Sequence, residues 1–412
     1  MTLTGWCKAL VPAVALLSAC SDPNGPGRSE PIDALPRQLS IGEQKLITSS
    51  NVFAFDLLKA VNSADRAGNV FISPLSASMA LGMTMNGAAG STYDAMHSTL
   101  RFGDLARTDV NASYKSLIAL LRELDNTTKF AIANSIWYDQ SWPFRQEFLA
   151  ESQSYFDAEV QGLDLSKPSS VDVINEWVNQ ATSKKIPKII DSFDGDEVMF
   201  LINAIYFKGI WEKQFDKSKT TSAPFHALDG TSSNVPLMSQ MEQFRHTFGA
   251  DYQAIDLPYG NSAFTMMVVL PNEGVDINSF TESLTGEKWR AIDAAMTMGE
   301  TGIALPKFKL EWKKNLNDQL KELGMAVAYD DLTADFSRMS ASDIPLVITD
   351  VIQKTFVDVD EEGTEAAAAT SVGVGPTSAP AFIRVDRPFI FAIRERLSGT
   401  ILFIGKITKL PS

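Results

Sequence analysis

Between two stretches that alternate as β-strands, 355–360 and 382–386, the chain runs through a segment built almost wholly from small residues. It opens Glu361-Glu362-Gly363-Thr364-Glu365-Ala366-Ala367-Ala368-Ala369-Thr370 and continues Ser371-Val372-Gly373-Val374-Gly375-Pro376-Thr377-Ser378-Ala379-Pro380. Its local preferences conflict. The alanines favour helix, whereas Gly363 in front and the glycines and prolines behind favour loop. Loops of about twenty residues are uncommon inside a compact domain and are usually functional. One outcome is a plain surface loop. The other follows from side-chain size. Thr364, Ala366, Ala368 and Thr370 lie two apart, so they share one face of any strand the segment forms. None is large, charged or proline, and such a face can enter a gap between existing strands with little steric cost.

The rest of the chain bounds what surrounds this segment. A length of 412 residues favours two or three domains. No Pro/Gly-rich, charged or low-complexity break divides 40–412, however, and a single domain is expected there. Hydrophobic content of 45% and charged content of 21% are those of a soluble globular protein. The net charge of −14 excludes the basic footprint of a nucleic-acid binder.

Residues 1–19 stand apart. Lys8 precedes an apolar run over 9–19 that suits a signal peptide and is too short to span a bilayer. The run ends Leu17-Ser18-Ala19-Cys20, which resembles the lipobox of bacterial lipoproteins. That resemblance implies cleavage before Cys20 and lipid on its sulfur; an ordinary signal peptide is the alternative. The expected product is exported and membrane-anchored, facing the periplasm or the cell exterior. Residues 20–39, with Pro23, Pro26, Pro31 and Pro36, read as a tether that holds the domain on the order of 20–30 Å from the membrane. Cys7 and Cys20 are the two cysteines. With Cys7 removed and Cys20 lipidated, the domain contains no disulfide and relies on packing.

Several elements are legible in order. Ser40-Ile41-Gly42-Glu43 fits a capping box, followed by a helix whose apolar face continues through 52–58. A short strand over 69–72 stops before Pro74, where a helix rich in small and methionine side chains begins. Residues 130–138 read as a strand, and 171–184 as an amphipathic helix around Ile174, Trp177, Val178 and Ala181. At the end, 383–393 and 401–407 form an apolar hairpin that belongs in the core.

Catalytic signatures are missing. His97, His226 and His246 form no metal-binding pair, and no Gly-x-Ser-x-Gly elbow occurs. The run 399–406, Gly-Thr-Ile-Leu-Phe-Ile-Gly-Lys, has one spacer too many for a phosphate loop. Gly373-Val374-Gly375 is broken by Pro376. Neither enzyme activity, cofactor nor metal is expected.

The sequence over 361–370 closely resembles the hinge of the reactive-centre loop of inhibitory serpins. The resemblance extends over nearly the whole chain beyond the first forty residues. It is carried by Asn203-Ala204-Ile205-Tyr206-Phe207-Lys208-Gly209-Ile210-Trp211 with Phe215, Thr220 and Phe225, by Leu305-Pro306-Lys307-Phe308, by Leu323-Gly324-Met325, and by 383–393. It implies an α+β fold of three β-sheets with about eight or nine helices and an exposed loop over 361–381. It also implies a monomer whose partner is a serine protease, or for some members a cysteine protease, trapped as a covalent acyl complex. Glu361, Gly363, Thr364, Ala366, Ala367, Ala368, Ala369 and Thr370 would form the hinge. Trp211, Lys307 and Glu361 would surround the point where the loop enters the sheet. Ser73, Ser76 and Asn203 would lie where the sheet opens, with Gln353 in place of the histidine common in the family; Gln both donates and accepts, so a network remains available. Spacing from the hinge glycine places the scissile bond between Thr377 and Ser378, with Val372 or Val374 as alternative cleavage positions. Thr377 is small and uncharged, which suits elastase-like or subtilisin-like proteases better than trypsin-like ones. The alternative is a non-inhibitory serpin acting as a binding or structural lipoprotein. Such members tend to carry bulky, charged or proline residues in the hinge, and the alanines at 366–369 argue against it.

Overall fold

A computed structural model describes residues 30–193, 197–364 and 381–410. The expected capping box is present. The Glu43 N–H donates to the Ser40 hydroxyl at 3.1 Å, and the Ser40 N–H donates to the Glu43 carboxylate at 2.7 Å. It starts the helix Ile41–Ala64, whose Leu46, Phe53, Leu57 and Val61 are buried along one face. Glu43 is itself buried and is clamped by Arg37 at 2.6 and 2.9 Å. Burial opposes its charge, but the bonds from Arg37 and the Ser40 backbone prevail and hold its pKa down at about 2. Residues 32–39, read as the end of a tether, lie against the domain. Ile32, Leu35 and Leu39 pack on the core, and the Ile32 N–H donates to the Asn261 carbonyl at 2.9 Å. Their apolar spacing gives them surface to bury that the preceding Pro/Gly-rich residues lack.

The strand Val70–Ile72 ends at Ser73, whose hydroxyl caps the helix Pro74–Met85. Nearly every residue of that helix is buried, and its small and methionine side chains suit such a site. Among the described residues there are nine α-helices and three sheets. The largest sheet has nine strands. Its order is Val70–Ile72, Ile401–Ile407, Phe389–Glu395, Phe264–Pro271, Tyr252–Tyr259, Ser232–Phe248, Thr297–Pro306, Ala381–Arg384, with Thr221–His226 also paired to Ser232–Phe248. The predicted C-terminal hairpin is Phe389–Glu395 and Ile401–Ile407, and every residue of both strands is buried.

Two smaller sheets make up the surface that matters for function. One orders Gly363–Thr364, Met199–Ile210, Lys129–Asp139, Glu159–Leu163. The other pairs Phe308–Asn315 with Ile352–Val359. A helix, Ser169–Ala181, covers the first: Ile174 and Val178 pack on Trp137 and Ile202. This helix was expected to reach Lys184 but ends at Ala181. Ser183 and Lys184 take left-handed backbone (φ 50° and 66°), which an α-helix does not admit, and Thr182 closes the last turn.

Glu43 offers a direct test of the first helix. Its native pKa lies below the unfolded value, so its contribution is complete above about pH 4.5 and disappears as the pH falls toward about 2. Glu43→Gln should lose up to about 3 kcal/mol of unfolding free energy at pH 7. Chemical denaturation of both proteins at pH 7 and at pH 3 should show the gap narrowing in acid. An equal gap at both pH values would contradict the assignment.

Candidate functional site

The two smaller sheets face one another across a slot. Along one side runs Met199–Ile210, along the other Ile352–Val359, and among the described residues no ladder joins them. Among the described residues, the strand between them is Gly363–Thr364, at the top. It pairs antiparallel with Met199–Ile210, Gly363 opposite Ile210 and Thr364 opposite Gly209. Below it lies a cavity of about 560 Å³, lined by Ser76, Leu201, Asn203, Leu346, Ile352 and Gln353 among others.

The top of the slot is built around a tight turn at the end of Ile352–Val359. The Asp360 carboxylate accepts from the N–H groups of Glu362 (2.9 Å) and Gly363 (3.2 Å), and the Asp360 N–H donates to the Gly363 carbonyl at 3.0 Å. Gly363 has φ +149°. A Cβ there would lie 2.1 Å from the Gly209 carbonyl oxygen and 2.9 Å from the Trp211 nitrogen, so only glycine passes. The Trp211 indole donates to the Asp360 carbonyl at 2.9 Å, while the main-chain N–H groups of Trp211 and Phe215 donate to the carbonyls of Glu362 (3.0 Å) and Glu361 (2.8 Å).

Glu361 and Glu362 are both buried here. Lys307 donates to Glu361 at 2.7 Å and the Thr220 hydroxyl does so at 2.7 Å, so the expected Lys307–Glu361 pairing is present. Glu361 is 5% exposed and Lys307 36%. Burial raises the Glu361 pKa, but the bonds from Lys307 and Thr220 outweigh it and the net shift is downward. Glu362 forms an ion pair with Lys217.

Thr364 points inward and is buried, as the alternation required. Its hydroxyl shares a 2.9 Å hydrogen bond with the phenol of Tyr259. Tyr259 is fully buried and stacks on Trp211 with centroids 4.4 Å apart. Burial pushes the Tyr259 pKa above its ordinary value, so the phenol stays a neutral hydrogen-bonding group.

Lower down, the polar residues expected where the sheet opens divide into two groups. The Gln353 amide donates to the Ser73 carbonyl at 2.8 Å, and its oxygen accepts the Ser73 N–H at 3.0 Å. The Ser73 hydroxyl donates to the Leu402 carbonyl at 2.7 Å. Asn203 instead accepts from the Ser76 hydroxyl and donates to Asn134. Gln353 therefore ties its strand to the N-cap of Pro74–Met85, and Asn203 ties the opposite side of the slot to the first turn of the same helix. Ala366, Ala367, Ala368, Ala369, Thr370, Thr377, Ser378 and Cys20 lie outside the described residues.

Tyr259, Lys217 and Asn134 were not singled out in the sequence. Tyr259 is 105 residues from Thr364, and only the folded chain brings them together. Thr220 was noted for its position in a motif, with nothing to mark it as a ligand of a buried carboxylate.

The Lys307–Glu361 pair can be inverted. Glu361→Lys sets two like charges together in a site where one is buried, at roughly 2–4 kcal/mol after discounting the exposure of Lys307. The turn should leave the top of the slot, and the open slot of one molecule can then take the segment of another. Mild heating should produce polymers by size-exclusion chromatography. A variant that stays monomeric with wild-type Tm would remove the pair from this role.

Comparison with known proteins agrees with the geometry. The family profile Serpin (serine protease inhibitor) matches residues 48–410. Leukocyte elastase inhibitor of Equus caballus is 33% identical over 379 residues, covering 89% of this chain and 99% of that protein. A serpin-like protein of Methanosarcina acetivorans is 34% identical, covering 87% of this chain and 86% of its own. The crystal structure of tengpin, a thermophilic serpin, in its native state superposes with TM-score 0.82 at 32% identity, covering 93% of this chain and 97% of tengpin. Slot, hinge and alignment together place this chain in the serpin family of serine protease inhibitors.

Proposed function

We propose that this serpin traps its protease as a suicide substrate, by inserting the segment after Thr364 into the slot. The observation that carries the proposal is the short strand Gly363–Thr364, already paired with Ile210 and Gly209 above the cavity. Continuing the same register would lead the chain along Met199–Ile210 toward Asn203.

In the proposed sequence of events, the nucleophile of the protease attacks the Thr377 carbonyl. The Thr377–Ser378 bond breaks, the amine of Ser378 leaves with a proton, and an acyl-enzyme remains on Thr377. Insertion then competes with hydrolysis of the ester. The fifteen residues from 363 to 377, at about 3.3 Å each, give roughly 50 Å of strand, enough to carry the enzyme across a domain of this size. New ladder bonds at about 0.5–1.5 kcal/mol each sum to on the order of 10–20 kcal/mol. A drop of that size favours insertion over slow deacylation. The small uncharged Thr377 supports an elastase-like or subtilisin-like target, and the names of the curated relatives as elastase inhibitors point the same way. Serpins inhibit proteases and are not enzymes themselves, in keeping with the lack of catalytic motifs.

The proposal includes export and anchoring through Cys20, supported by the Leu17-Ser18-Ala19-Cys20 run. Acyl chains at about 0.8 kcal/mol per buried methylene make a firm attachment once two or more are present. Cys20→Ser should release the protein from the membrane fraction. A wild-type protein that fractionates as soluble and takes up no lipid label would refute the anchor.

The trapping mechanism has its own test. Thr364→Arg forces a charge into the buried site beside Tyr259, at several kcal/mol. Insertion should slow while the scissile bond remains accessible, so the variant is cleaved by the same protease with little covalent complex on denaturing gels. Glu365→Arg, one residue along and on the opposite face, should be far milder. If both variants form complex as the wild type does, insertion is not the mechanism.

A further inference from the structure

Far from the slot, the core strand Ile401–Ile407 carries one charged side chain among apolar residues and glycine, Lys406, and it is fully buried. Its ammonium donates to the side-chain oxygens of Asn62 (2.7 Å) and Asn278 (3.0 Å) and to the main-chain carbonyls of Arg66 (3.0 Å) and, more distantly, Asp65 (3.5 Å). Four oxygens surround the nitrogen, and none belongs to a carboxylate. Arg394, the other fully buried cation among the described residues, is by contrast paired with Asp256 at 2.5 Å and Asp293 at 2.8 Å. The charged groups on the elements around Lys406 are Asp65 and Arg66 after the first helix and Asp276 before the helix Ile277–Ser283, and each is engaged elsewhere. The Asp65 carboxylate accepts from the Gly68 N–H at 2.8 Å, Arg66 pairs with Glu282, and Asp276 accepts from the Ser279 N–H at 2.8 Å. On the neighbouring strands Lys406 lies opposite Val70 and Ile390, which carry no charge.

The place of the amine explains its partners. A helix ends in carbonyls without intrahelical donors and in partial negative charge, which a cation relieves. The helix Ile41–Ala64 has no basic residue in its own last turn. Lys406, 344 residues beyond Asn62, brings one to it. Just past the same strand, the Thr408 hydroxyl donates to the Ala67 carbonyl at 2.8 Å, so three successive carbonyls after the helix accept from the end of the chain. The cage has a cost as well, because it holds an ammonium out of water with no counter-ion bonded to it. We infer that Lys406 is a proton switch built into the fold: as an ammonium it caps the first helix and ties it to Ile277–Ser283, and in mild alkali it gives up its proton while the fold stands, leaving an amine with one donor fewer for the same oxygens. This inference is independent of the trapping mechanism. Burial pushes the Lys406 pKa down to about 8, from 10.5. Between those values the unfolded chain holds a proton that the folded chain has released, so the contribution of Lys406 to stability rises with pH through that window, and below about pH 8 the fold carries the full cost of the buried charge.

The test uses the full chain with carbon-13 at the Cε of its lysines, followed by NMR as the pH is raised. One lysine signal of the wild type should titrate with its midpoint near pH 8 and be absent from Lys406→Met, whereas exposed lysines hold their protons to about pH 10. Lys406→Arg keeps a cation and its donors but does not lose its proton. Chemical denaturation of the wild type and Lys406→Arg at about pH 7 and about pH 9.5 should show their relative stability moving toward the wild type by roughly 10- to 30-fold in the unfolding equilibrium constant. A wild-type spectrum in which no lysine titrates below about pH 9.5 overturns the switch, whether or not either variant folds. A low-titrating signal that persists in Lys406→Met belongs to a different lysine and overturns it too, as does a stability difference from Lys406→Arg that is the same at both pH values.

Discussion

The strand Met199–Ile210 has two edges. One is laddered to Lys129–Asp139 from Met199 to Lys208, while among the described residues the other is paired at Ile210 and Gly209 alone. Backbone donors and acceptors that face a slot rather than a ladder are costly to leave unsatisfied. An unpaired edge is also a template for any strand that can reach it. Much else in the structure follows from this one edge. Something must hold the slot apart, and something must keep foreign strands out.

Separate devices serve the two ends. At the top, the turn over 360–364 acts as a plug. Its two glutamates are buried against Lys307, Thr220 and Lys217, and its carbonyls accept from Trp211 and Phe215. Buried charges of this kind add little net stability, yet they are expensive to separate. That makes the plug specific about geometry and sensitive to single substitutions. At the lower end, Gln353 and Asn203 bind the two sides of the slot to neighbouring residues of one helix, Pro74–Met85, through Ser73 and Ser76. Neither side chain's hydrogen bonds reach across the slot to the other. The two sides are thus joined through the helix behind them rather than by a direct bond between these side chains.

Some of this was legible from local spacing. The capping box at Ser40 and Glu43, the stop at Pro74 and the C-terminal hairpin depend on neighbours a few residues apart, and they fold as read. The inward position of Thr364 followed from alternation alone. Where the sequence misled, the cause was conformational. The helix over Met199–Ile210 ended at Ala181 because Ser183 and Lys184 adopt positive φ, which no periodicity of side chains announces. The apolar residues Ile32, Leu35 and Leu39 were hidden among prolines that suggested a free tether, though they have core surface to cover.

The sequence by itself determined that a glycine at 363 is followed by small residues two apart, a face that a strand can bury with little steric cost. Only the tertiary structure decided that the sheet is divided and that Tyr259 closes over Thr364 from 105 residues away. Those are relations between distant strands. Register and packing set them, and neither is written in the local pattern of any single segment.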